Sequence, residues 1–94
     1  MASKKNLKQD INRIVNELVA DCLQYMKMQP GKAETEIAEI ISEALKMRKE
    51  LIYKLNHLED TEDAKKLKSQ INEIAVTLIG KTDASYKTLS KLPR

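Results

Sequence analysis

Apolar residues recur every three or four positions along nearly the whole chain, which is the spacing of one face of an α-helix. In a first segment, from about Asn6 to Met28, Leu7, Ile11, Ile14, Leu18, Cys22 and Tyr25 form a stripe that Val15, Val19 and Met26 widen. Pro30 and Gly31 close it, because proline donates no amide hydrogen and glycine accepts the left-handed backbone that commonly ends a helix. A second segment, about 33–58, carries Ile37, Ile40, Ala44, Met47, Leu51, Leu55 and Leu58, with Ile41, Leu45 and Ile52 as an additional stripe. Glu34 and Glu36 stand in its first turn, where unpaired amides favour carboxylates.

The polar run from Glu59 to Asp63 interrupts the pattern, and Asp60 or Thr61 is the predicted N-cap of a third segment, about 61–79. That segment repeats as Ala64, Leu67, Ile71, Ile74 and Leu78. Beyond Gly80 the apolar positions Tyr86, Leu89 and Leu92 leave the register. Either the helix runs on past Gly80 with a kink, or Gly80 caps it and Thr82 begins a short fourth helix over about 82–92.

These elements predict an all-α fold: one domain over residues 1–94, an antiparallel up-down-up three-helix bundle, with the stretch 82–92 as continuation or short fourth helix. Leu18, Ile40, Leu51, Ile71 and Ile74 are the predicted centre of its core. Composition fixes the character of that core. The chain has no Phe or Trp, three Tyr and four Met, so its interior is aliphatic. Met26, Met28 and Met47 read as gap fillers, and Tyr25, Tyr53 and Tyr86 as core-edge residues with wet hydroxyls. No apolar run approaches the roughly 20 residues that cross a bilayer, and one cysteine, Cys22, cannot form an internal disulfide. Both observations suit a reducing cytoplasm, with Cys22 as buried filler.

Charge changes the picture by segment. Residues 1–32 carry six basic and three acidic side chains, residues 33–63 four and nine, and residues 64–94 seven and two. An acidic middle helix between basic neighbours gains a few tenths of a kcal/mol per exposed pair and disfavours wrong pairings.

Candidate chemistry is sparse. Residues 75–82, Ala-Val-Thr-Leu-Ile-Gly-Lys-Thr, match a relaxed phosphate-loop pattern in which Lys81 would meet phosphates and Thr82 a magnesium ion. The spacer is apolar and continues a helical repeat, so a helix end is the expected reading. One histidine, His57, and one cysteine leave no soft-ligand metal cluster to assemble. Glu34, Glu36, Glu39, Glu43 and Glu50 alternate with Lys46, Lys49 and Lys54 as a solvated helix face does. No catalytic residue, metal ligand or cofactor is expected.

The residues Lys4-Lys5-Asn6-Leu7-Lys8-Gln9-Asp10-Ile11, Glu17-Leu18, Asp21-Cys22-Leu23, Tyr25, Pro30 and Asn56-His57 resemble a small family of uncharacterised all-helical bacterial proteins. The likeness spans about the first 60 residues. It implies a compact helical bundle in a bacterial cytoplasm and brings no activity, substrate or site residue with it.

Two functions follow from the residues. A non-enzymatic protein-interaction or structural module is the leading expectation, with an unknown protein partner. A symmetric homodimer is expected through Ile41, Leu45, Ile52, Tyr86, Leu89 and Leu92, because the second stripe exceeds what a three-helix bundle uses and a third helix of 31 residues would overhang its neighbours. The competing arrangement folds the carboxy-terminal piece back at Gly80 to cover that stripe. The alternative function is weak nucleic-acid or ribonucleoprotein binding through Lys4, Lys5, Lys8, Lys65, Lys66 and Lys68, which the acidic middle helix and the modest net charge of +3 oppose.

Overall fold

The computed structural model describes residues 4–58 and 63–93, with Lys4 described by its backbone alone. Three helices run in order: α1 over Lys4–Met28, α2 over Glu34–Asn56 and α3 over Ala64–Ser90. All three pack on one another as an up-down-up bundle with overall dimensions of 53 × 18 × 18 Å. Contact is most extensive between α1 and α2, less between α2 and α3, and least between α1 and α3.

The turn after α1 forms where expected. Gly31 takes φ 78°, and Ala33 follows in the same left-handed region at φ 51°, immediately before α2. Glycine adopts that conformation freely, whereas alanine bears a steric cost there. Ala33 also offers no side-chain oxygen to the first amides of α2. Glu34 and Glu36 supply the only acidic first turn among the three helices.

The α3 helix departs from the sequence reading at both ends. Its N-cap is Asp63, whose carboxylate accepts from the amides of Lys65 at 3.0 Å and Lys66 at 3.4 Å. The expected caps Asp60 and Thr61 lie outside the described residues. Gly80 caps nothing: it is an exposed mid-helix residue, and a β-carbon added there would touch nothing within 4 Å. Helix therefore continues unbroken to Ser90, and no fourth helix forms. Thr82, expected as that helix's cap, is instead a buried member of the α3 face, 9% exposed. A glycine costs an exposed helix only about 1 kcal/mol, which Leu78, Thr82, Tyr86 and Leu89 outweigh by packing on both sides of it.

The core is aliphatic, as expected, and comes mostly from the first two helices. Leu7, Ile11, Val15, Leu18 and Cys22 of α1 meet Ile37, Ile40, Ala44, Met47, Leu51 and Leu55 of α2. From α3 only Ile74 and Leu78 join as fully buried apolar residues. Ile71, predicted at the centre, is only partly buried at the margin. Two of the expected methionine fillers are also misplaced, since Met47 is buried while Met26 and Met28 are exposed. Tyr25 and Tyr86 lie at the core edge, but Tyr53 is 62% exposed.

Candidate functional site

The bundle has three seams, and each carries different chemistry. Between α2 and α3 an open groove of about 580 Å³ is lined on one side by Glu36, Glu39, Glu43 and Glu50 and on the other by Lys81, Ala84, Ser85 and Thr88. Ile40, Ala44 and Met47 line its depth. Among the described residues none of the four carboxylates, nor Lys81, has an ion-pair partner. The ion pairs Arg13 with Asp10, Arg13 with Glu17 and Lys87 with Asp83 each run within a single helix.

Because those glutamates turn one flank of α2 toward α3, the helical period puts Ile41, Leu45 and Ile52 on the opposite flank, toward α1. Ile41 and Ile52 are partly buried against the core, while Leu45 is 42% exposed. On α1, Asp21 and Tyr25 reach toward α3, so Val19, Leu23 and Met26 fall on the flank turned to α2. Leu23 and Met26 are 54% and 40% exposed. Between Lys8 and Lys27 on this flank of α1, and between Glu34 and Arg48 on that of α2, no side chain is charged. The polar positions there are Asn12, Asn16 and Ser42. The result is an uncharged, partly apolar strip along the α1/α2 seam, with Ile52 just beyond its end.

The third seam joins the carboxy-terminal half of α3 to α1. The Tyr86 hydroxyl donates to the Asp21 carboxylate at 2.6 Å, and the Tyr25 hydroxyl donates to the carbonyl of Pro93. Burial, first, and then the hydrogen bond and charge of Asp21 push the Tyr86 hydroxyl up to about 12 from its ordinary value of 10.0. Tyr86, Leu89 and Leu92 pack against the core. The expectation that they would overhang without an intrachain partner is thus corrected. With 27 residues α3 spans about 40 Å, close to the 25-residue α1.

The lysines of the alternative reading come together by topology. Since α1 and α3 both run upward, Lys5 and Lys8 lie at the same end of the bundle as Lys65, Lys66 and Lys68. Lys4 begins α1 at that end, and its side chain lies outside the described residues. Lys5, Lys8, Lys65, Lys66 and Lys68 are exposed. Asp63, the N-cap of α3, belongs to the same end.

Residues with potential chemistry are kept apart. Cys22 is fully buried, and burial first and the Asp21 charge second raise its thiol above its ordinary value. His57 forms the C-cap of α2, its ring stacked on Tyr53 at 4.1 Å between centroids and its Nδ1 2.8 Å from the Tyr53 carbonyl. Among the described residues no group of three or more His, Cys, Asp or Glu is placed to hold a metal ion. Residues 75–82 lie wholly within α3, with no strand before them. No helix of the described residues is long and apolar enough to cross a membrane.

Sequence reasoning missed the groove, because the flank that Glu36, Glu39 and Glu43 occupy reads the same whether it faces water or a neighbouring helix. It also missed Leu23 and Met26 as companions of Leu45. Comparison with protein-family models, with curated proteins and with solved structures returned no match.

Proposed function

We propose that this protein is a non-enzymatic interaction module that self-associates through the uncharged strip on its α1/α2 face. The observation that carries this reading is the strip itself. In a chain with one third charged residues, Leu23, Met26 and Leu45 stand exposed on a flank that holds no charge between Lys8 and Lys27. A two-fold pairing opposes a surface to itself, so it tolerates an uncharged strip and penalises a wall of like charges. The α2/α3 groove would set glutamates against glutamates, and the α1/α3 seam bears Glu17 and Asp21 beside Tyr86. The dimer expected from the sequence keeps Ile41 and Leu45 in its interface and gains Val19, Leu23 and Met26, while Tyr86, Leu89 and Leu92 already serve the core of their own chain.

Sedimentation equilibrium over micromolar concentrations tests the reading. The expected result is a mass rising toward twice 10.7 kDa, returned to 10.7 kDa by Leu45→Glu or Leu23→Glu. A mass constant at 10.7 kDa would remove it.

A second reading rests on the lysines that α1 and α3 bring to one end. These would hold phosphates without reading sequence. The modest net charge of +3 and the acidic flank of the neighbouring α2 work against it. Binding of generic RNA and DNA that falls steeply with added salt supports this reading, and no binding at low salt eliminates it.

A further inference from the structure

We propose that α3 is a detachable strap: it opens from the rest of the bundle as one unit, while α1 and α2 stay folded on each other. Its seat on them is narrow. Among the described residues α1 and α2 bury five and six apolar side chains, whereas α3 contributes only Ile74 and Leu78. Open volumes of about 580 and 310 Å³ border α3 on the side of α2, and one of about 380 Å³ borders it on the side of α1. Its flanks are thus incompletely covered, and the lining atoms forgo dispersion contacts that close packing would supply. Two polar atoms of α3, Gln70 Oε1 and Thr82 Oγ1, are buried without a hydrogen-bond partner among the described residues. Water would satisfy both once α3 leaves, so both oppose its docking. Two hydrogen bonds tie the carboxy-terminal end to α1, from Tyr86 to Asp21 and from Tyr25 to the Pro93 carbonyl, but they lie at an exposed edge where water competes.

The other two helices do not share these weaknesses. Contact between α1 and α2 is the most extensive in the molecule, and the short turn over 29–33 keeps them adjacent when α3 leaves. Within α3 the helix is continuous from Ala64 to Ser90, so breaking its seat frees the whole element. Opening uncovers Cys22. That thiol is fully buried and close enough to Tyr86 for its charge to act on the hydroxyl, which places it beneath the carboxy-terminal half of α3. An opening of part of a fold is governed only by the contacts that break. A substitution between α1 and α2 therefore lowers the stability of the whole fold and leaves the opening of α3 unchanged, whereas all-or-none unfolding would respond to it in every helix.

Native-state hydrogen exchange on the full chain, read by mass spectrometry at low denaturant concentrations, tests the proposal. The amides from Ile74 to Tyr86 are expected to share one opening, at least about tenfold more frequent than that of the amides around Leu18 and Leu51 and less steep in denaturant, because it exposes less surface. Ile52→Ala acts on the flank of α2 turned to α1, where Ile52 is partly buried. It is expected to speed exchange around Leu18 and Leu51 about fivefold and to leave Ile74 to Tyr86 unchanged. Under the same conditions an aromatic disulfide reagent should label Cys22 with the frequency and denaturant dependence of the α3 opening. The wild-type comparison stands even if the variant folds poorly. One opening shared by all three helices, an equal response of all three to Ile52→Ala, a graded loss of protection from Ser90 inward in place of a single step, or labelling of Cys22 only at the rate of complete unfolding would each overturn the proposal.

Discussion

On one flank of α2, Ile41 and Leu45 follow a stretch of the α1 seam that carries no charge between Glu34 and Arg48; on the other, Glu36, Glu39, Glu43 and Glu50 line an open groove toward α3. The first seam is well packed and the second is loose. One helix thus borders two unlike seams, because its apolar arc is wider than one neighbour can cover and its acidic arc lies where a second neighbour only partly closes. Stability is concentrated between α1 and α2, whereas α3 leans on them through a narrow row of Ile74, Leu78 and Thr82 and is tied at its carboxy-terminal half by Tyr86.

The largest effects should appear at the first seam. Leu18→Ala and Leu51→Ala remove fully buried side chains and are expected to cost about 2 to 5 kcal/mol each by chemical denaturation. Ile71→Ala, at the margin of the loose seam, should cost less than about 2 kcal/mol. Equal losses at Leu18 and Ile71 would erase the contrast between the seams.

Smaller changes act on α3 alone. Asp63→Ala deprives two amides of their cap and should destabilise by about 1 kcal/mol in the same assay. Thr82→Val removes a buried hydroxyl that has no hydrogen-bond partner while keeping the side-chain shape, so about 1 kcal/mol of added stability is expected. A loss of stability on this substitution would mean that the hydroxyl is satisfied. Gly80→Ala meets open space and a helical backbone, and should raise the melting temperature through a gain of about 0.5 to 1 kcal/mol.

The finest probe is the tie between α3 and α1. Tyr86 is held protonated up to about 12, above its ordinary 10.0, so its contribution to stability is fully present below pH 10 and is lost as pH rises through about 12. Tyrosinate absorbance should therefore show a late step from Tyr86, near 12. Asp21→Asn should bring that titration down toward 10, and an unchanged titration would mean that Asp21 does not hold the hydroxyl.

Local chemistry along the chain was sufficient for the three amphipathic helices, the turn at Pro30 and Gly31, the aliphatic core around Leu18, Ile40 and Leu51, and the rejection of a phosphate loop at residues 75–82. Each of these depends on neighbours within a few positions, where apolar spacing and backbone preference act directly. Tertiary structure decided the rest. A glycine at position 80 weakens a helix by too little to end it, and only the packing of Thr82, Tyr86 and Leu89 against α1 and α2 settles that α3 continues. Asp63 caps α3 through its carboxylate on the amides of Lys65 and Lys66, whereas Asp60 and Thr61, equally acceptable by type, lie outside the described residues. Ile41 and Glu43 stand two positions apart, yet one borders a covered seam and the other an open groove. That division depends on which helix lies on each side of α2, and the spacing of apolar residues within α2 carries no information about it.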